Sequence, residues 1–137
     1  MNQDQRKIKI LVVDDDTDIC ELMENELARH GYIVAKAFKG NDAFKIIVKD
    51  HVDIVISDVS MPKGDGLKLL EKINQLTENK PVVIMISGLA GLSKKEFIER
   101  GATDLILKPI DFEDLIQQLN AIAARILTRE RKNSQAS

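Results

Sequence analysis

Four places in the sequence put chemically capable residues directly after an apolar run. Asp14-Asp15-Asp16 follows Ile8 to Val13, Ser57-Asp58 follows Ile54 to Ile56, Ser87-Gly88 follows Val82 to Ile86, and Lys108-Pro109 follows Leu105 to Leu107. An Asp or Ser after a strand often only caps the next helix, and Asp16 and Thr17 are expected to do that. Asp14, Asp15 and Asp58 together are different. At ~4 Å each close pair of carboxylates repels by up to ~4 kcal/mol at an effective dielectric of about 20, so such a cluster needs a cation. An all-oxygen donor set without His or Cys suits Mg²⁺, which keeps several waters and expects a phosphate to complete its shell. Lys108 supplies a second positive charge. With the charge on its oxygens offset in this way, a phosphoryl group can be attacked in line by a carboxylate, giving an acyl phosphate. Asp14 and Asp15 are adjacent and better placed to hold metal together, which leaves Asp58 as the expected nucleophile. Ser87 can donate its hydroxyl to a phosphoryl oxygen, and Gly88 leaves space for the approach.

For these residues to meet, the runs that precede them must be neighbouring strands. Most of the runs are apolar on consecutive residues, which predicts strands buried on both faces of a parallel sheet; a weaker fifth run spans Tyr32 to Ala37. Helical spacings lie between them. Ile19, Leu22, Met23 and Leu27 form one stripe, which stops at His30-Gly31. Others run through Ala43 to Val48, Leu67 to Leu76, Phe97-Ile98 and Phe112 to Ile126. The alternation predicts an α/β fold of flavodoxin-like, doubly wound (βα)5 type with a five-stranded parallel sheet of order 2-1-3-4-5. In that order ligands bind beyond the carboxyl ends of strands 1 and 3, where Asp14, Asp15 and Asp58 fall. Residues 1–128 are expected to form the domain. Residues 129–137, charged and without an apolar stripe, read as a polar tail, a linker or a frayed helix end.

These residues resemble the receiver domain of bacterial two-component response regulators over roughly residues 7 to 125. The resemblance rests on the apolar strand before Asp14-Asp15 and on Asp58-Val59-Ser60-Met61-Pro62-Lys63-Gly64-Asp65-Gly66. It rests also on Ser87 and on Lys108-Pro109 after Gly101-Ala102. It implies that Asp58 accepts phosphate from a sensor histidine kinase or a histidine phosphotransfer protein, with Ser87 and Lys108 assisting. It further implies that Asp15, Asp58 and the backbone carbonyl of Ser60 bind Mg²⁺, with Asp14 acting through water, and that the Lys108-Pro109 peptide is cis. Such a domain is a signalling module that catalyses its own phosphorylation and slow dephosphorylation. Its output goes to a downstream protein target, or to a C-terminal output domain if the chain is part of a longer regulator. Leu105 departs from the pattern, standing where the family usually has an aromatic switch residue, and is expected to stay buried. Ser60 and Leu89 occupy positions that vary in the family and tune water's access to the acyl phosphate.

Composition agrees with one soluble globular domain: 44% of residues are apolar and 31% charged, with 20 Lys+Arg against 22 Asp+Glu. The net charge of −2 points away from direct nucleic-acid binding, and no apolar run is long enough to cross a bilayer. A single cysteine, Cys20, excludes an internal disulfide, fits a reducing cytoplasmic setting and reads as a semi-buried packing thiol. His30 is placed to complement the dipole at a helix end. His51 reads as a loop residue with no partner suggestive of metal or phosphotransfer. The main rival is a Mg-dependent haloacid-dehalogenase-like phosphatase, whose Asp-x-Asp is imitated by Asp14-x-Asp16. It expects Thr or Val where Asp18 stands and leaves Asp58 with its Met-Pro and Asp-Gly unexplained. A flavin binder of the flavodoxin type is disfavoured by the acidic rim.

Overall fold

The computed structural model describes residues 6–89 and 92–136. Five strands alternate with five helices: β1 (Lys9–Val13), α1 (Thr17–Arg29), β2 (Ile33–Ala37), α2 (Gly40–Lys49), β3 (Ile54–Asp58), α3 (Asp65–Asn74), β4 (Val82–Ser87), α4 (Lys94–Glu99), β5 (Asp104–Leu107) and α5 (Phe112–Ala136). A short 3-10 turn, Pro62–Gly64, leads into α3 and has no periodic signature in the sequence. All strand pairs are parallel, in the order β2-β1-β3-β4-β5, as the alternation of runs predicts.

Successive strand residues point to opposite faces, and both faces are covered. On one side Ile10, Val12, Ile54, Ile56, Ile84 and Ile86 pack against Cys20, Met23 and Leu27 of α1 and Leu115, Leu119 and Ile122 of α5. On the other, Leu11, Val13, Val55, Val83 and Met85 meet Ala43 and Ile47 of α2, Leu69, Leu70 and Ile73 of α3, and Phe97 of α4. That is why β1, β3 and β4 read as unbroken apolar runs. The edge strands do not enjoy the same cover. Ile33 of β2 is 48% exposed and Leu107 of β5 is 54% exposed.

Helix boundaries follow local chemistry. Asp16 caps α1 by accepting from the N–H groups of Asp18 and Ile19, at 2.9 and 3.3 Å, as the sequence suggests. His30 is its C-cap, and Gly31 takes φ +91°, a conformation that side chains resist. The one marked departure is α5. Instead of fading at Leu127, the helix continues to Ala136 through the stretch expected to be a polar tail or frayed end.

Asp53, just before β3, ties the base of the sheet together. It is 5% exposed, accepts from the Lys9 N–H at 2.8 Å and from Arg6 at 2.6 and 2.8 Å, and lies 2.7 Å from His51 Nε2. His51 is thus a loop residue, but a partnered one. Burial alone would raise the Asp53 carboxyl; the hydrogen bonds from Arg6, Lys9 and His51 outweigh it and hold Asp53 below its ordinary 3.8. Asp104 is lowered in the same way, its burial outweighed by Lys94, the Leu105 N–H and Gln118.

A carboxylate whose folded pKa is depressed stabilises the fold above its unfolded value and loses that contribution as pH falls through the folded one. The urea midpoint is therefore expected to start falling as the pH approaches 3.8 and to keep falling below it. Asp53→Asn flattens this slope and costs about 1–3 kcal/mol at neutral pH, because the hydrogen bonds it loses are to a charged group. Urea titrations of both proteins across pH check the two effects together.

Candidate functional site

The carboxyl ends of β1, β3, β4 and β5 open onto one rim. Asp14 follows β1 directly and is 5% exposed; its N–H donates to the Ala37 carbonyl and its Oδ1 accepts from the Asp16 N–H at 2.9 Å. Beneath it, the fully buried Cys20 donates its thiol to the Asp14 carbonyl at 3.4 Å, so the cysteine is more enclosed than its sequence context suggests. Burial pushes that thiol up to about 11. Asp15 is exposed beside Asp14.

Asp58 closes β3, is 6% exposed, and accepts from the Ser60 N–H through Oδ1 at 3.1 Å. Its backbone is held by Ser57 Oγ, which donates to the Asp58 carbonyl, and by the neighbouring pairing of Val59 N–H with Ile86 O. Gly66 matters here. A Cβ on it would lie 2.3 Å from the Asp58 carbonyl oxygen, so the first turn of α3 can pass behind the carboxylate only as glycine. Asp65, its neighbour, accepts from the Gly40 N–H and links this turn to the start of α2. In the sequence both residues stand out only as parts of a motif.

Lys108 reaches in from the end of β5, with Nζ 3.7 Å from Asp58 Oδ2 and 3.8 Å from Asp14 Oδ2. Its N–H donates to the Ser87 carbonyl, and its peptide with Pro109 is cis. Ser87 is fully buried, and its Oγ accepts from the Leu89 N–H at 3.0 Å. A Cβ on Gly88 would make only ordinary contact with the Lys108 stem, at 3.7 Å. Leu105 is buried at 7% exposure and packs into the sheet face that meets Phe97. The loop from Gly88 to Leu92 includes residues 90 and 91, outside the described residues.

One oxygen from each of Asp14, Asp15 and Asp58 lies within 4.8 Å of the others. Burial pushes the Asp14 carboxyl up, Asp58 pushes it further, and the Asp16 N–H and Lys108 oppose this without cancelling it. The donor set is all oxygen, crowded and negative, and it fits a hard divalent cation. A cleft of about 400 Å³ between the end of α2 and the loop after α3 holds none of these groups.

The sequence profile of the family described as "Response regulator receiver domain" matches residues 10–120. The chain belongs to this family. It is 34% identical over 131 residues to a probable transcriptional regulator, ycf27, of Cyanidium caldarium, covering 95% of this chain and 52% of that protein. It is 37% identical over 124 residues to the transcriptional regulatory protein ZraR of Salmonella typhimurium, covering 90% of this chain and 28% of that one. The chain thus spans about half or less of these relatives' lengths. Among solved structures, the receiver domain of the Francisella response regulator 1452 superposes with a TM-score of 0.80 at 30% identity, covering 88% of this chain and 99% of that one. This is a receiver domain of two-component response regulators, with a CheY-type arrangement of five parallel strands and five helices.

Because the raised pKa of Asp14 marks an ionised form that the fold disfavours, Asp14→Asn is expected to raise the melting temperature in EDTA at neutral pH. The gain is about 3–5 °C for each kcal/mol of repulsion relieved. The sign reverses the Asp53 case: the wild type recovers stability as pH falls through the raised pKa, and the two melting curves converge. Differential scanning fluorimetry from neutral to acid pH checks this.

Proposed function

We propose that this receiver domain accepts a phosphoryl group on Asp58 from a phosphohistidine of a sensor kinase or phosphotransfer protein. The observation that carries the reading is the convergence of Asp14, Asp15, Asp58 and Lys108 on one rim, with Asp58 Oδ1 tied to the Ser60 N–H. That tie leaves Oδ2, on the Lys108 side, as the attacking atom. A phosphorus–oxygen bond forms there, the phosphorus–nitrogen bond of the donor breaks, and the electron pair stays on the departing imidazole nitrogen, leaving a neutral imidazole whose proton is carried by the ring's other nitrogen. Lys108 offsets charge on the equatorial phosphoryl oxygens. Asp15, Asp58 and the Ser60 carbonyl would hold Mg²⁺, with Asp14 acting through water; the bound ion adds positive charge at the same oxygens.

Ser87 gives the rim its sensor. Its hydroxyl accepts from the Leu89 N–H and keeps its own proton to donate to a phosphoryl oxygen, a bond that would draw Ser87 and the turn it holds toward Asp58. Leu105 has no polar tip to favour an outward state and stays in the core through this change. The phosphatase reading is weaker, because Oδ1 of Asp16 caps α1 while Asp58, which that reading leaves unexplained, sits in the acid cluster.

Acetyl phosphate with Mg²⁺ is expected to add one phosphate by intact mass, and Asp58→Asn or EDTA to abolish it. Lys108→Met slows the reaction on the order of 10²-fold without moving the site. Modification that persists in Asp58→Asn would remove the proposed nucleophile. Methyl NMR with and without beryllofluoride checks the second element: large shifts are expected around Ser87 and Leu89, and small ones at Leu105. A rotamer change at Leu105 as large as that of the Ser87 loop would show that the leucine still switches.

A further inference from the structure

We propose that Arg6 is an ionic clamp that fastens the last turns of α5 to the base of the sheet, at the end away from Asp58, and that ionic strength releases it. The apolar packing of α5 ends at Ile126 and Leu127. Beyond it, Thr128–Arg129–Glu130–Arg131–Lys132–Asn133–Ser134–Gln135 has no apolar side chain, and so short a polar segment is a marginal helix by itself. It is nevertheless helical, and Arg6 is bound to it. Arg6 Nε and Nη2 hold the two oxygens of Glu130 at 3.0 and 2.5 Å, while Nη1 and Nη2 hold the two oxygens of Asp53 at 2.8 and 2.6 Å. One guanidinium thus engages two carboxylates, each through both oxygens.

The two halves of the clamp are unequal. The Asp53 side chain is 2% exposed and is fixed by the Lys9 N–H and by His51, so Arg6 is held in a place dictated by the sheet. The Glu130 side chain is 46% exposed. Salt screens the exposed contact far more than the buried one, so the clamp opens at Glu130 and the helix end is the part set free. His51, Asp53 and Glu130 also bring potential metal-ligating atoms within 4.8 Å of one another, but the guanidinium fills the position a cation would take. The trio is accordingly assigned to arginine rather than to a metal.

Hydrogen–deuterium exchange of the unphosphorylated full chain, read by mass spectrometry, tests the clamp independently of phosphoacceptance. Glu130→Gln is expected to speed exchange several-fold over residues 128–136 and to leave residues 112–124 unchanged. Raising ionic strength from about 0.05 M to about 0.5 M is expected to do the same to the wild type and to add little in the variant. Arg6→Gln also takes from Asp53 its charged partner, leaving only the Lys9 N–H and His51, and is expected to loosen the base of the sheet as well, so Glu130→Gln is the deciding variant. Exchange over 128–136 that matches the wild type in Glu130→Gln, or an equal salt effect in both proteins, overturns the proposal.

Discussion

Two buried carboxylates at the ends of adjacent strands repel each other, and the molecule holds them together anyway. Asp14 and Asp58 are each almost wholly enclosed, and the amine of Lys108 lies between 3.7 and 3.8 Å from both. The rest of the rim is arranged around that tension. β1 and β3 are neighbours because the strand order reverses there, and the lysine arrives from β5, two strands beyond β3. The fold thus holds together like charges that would repel each other less apart, and the rim is suited to a group that brings positive charge to them.

Rigidity at the site is supplied by backbone-directed contacts rather than by bulk. The Asp16 N–H fixes the Asp14 carboxylate, the Ser60 N–H fixes that of Asp58, and the Cys20 thiol and Ser57 hydroxyl each hold a carbonyl of the same two residues. Gly66 contributes by having no side chain. This leaves Asp15 and the Ser87 hydroxyl as the groups whose surroundings can change when a ligand arrives, one because it is exposed and the other because its hydrogen bond is to a local turn.

The acids, the serine and the lysine were legible in the sequence because a parallel sheet delivers the residue after each strand to one rim, and a run of apolar residues marks where each strand ends. Continuous apolarity likewise announced two covered faces, though it overstated the cover of the edge strands at Ile33 and Leu107. The base of the sheet was not legible. Arg6 finds Asp53 across 47 positions and Glu130 across 124, and no local pattern encodes such a meeting. That α5 runs on past Leu127 as an ordered helix, where the sequence allows a polar tail, a linker or a frayed end, is not legible for the same reason, since periodicity registers apolar packing and is blind to a helix continued by charge. Gly66 could be listed in a motif, but its meaning lies in a carbonyl that only the folded chain sets against it.

The 25 residues of α5 give it a length of about 37 Å, roughly twice the span of the five-residue strands it covers. It begins just after the Lys108-Pro109 peptide, beside the acid rim, and ends past the opposite edge of the sheet. Such a rod is a lever whose fulcrum sits next to the chemistry. A tilt of roughly 5° about its start carries the far end about 3 Å, a displacement close to the depth of one side-chain contact. While Arg6 holds Glu130 that swing is checked, so release of the contact would let an ångström-scale adjustment at one end be felt as a repositioned surface at the other.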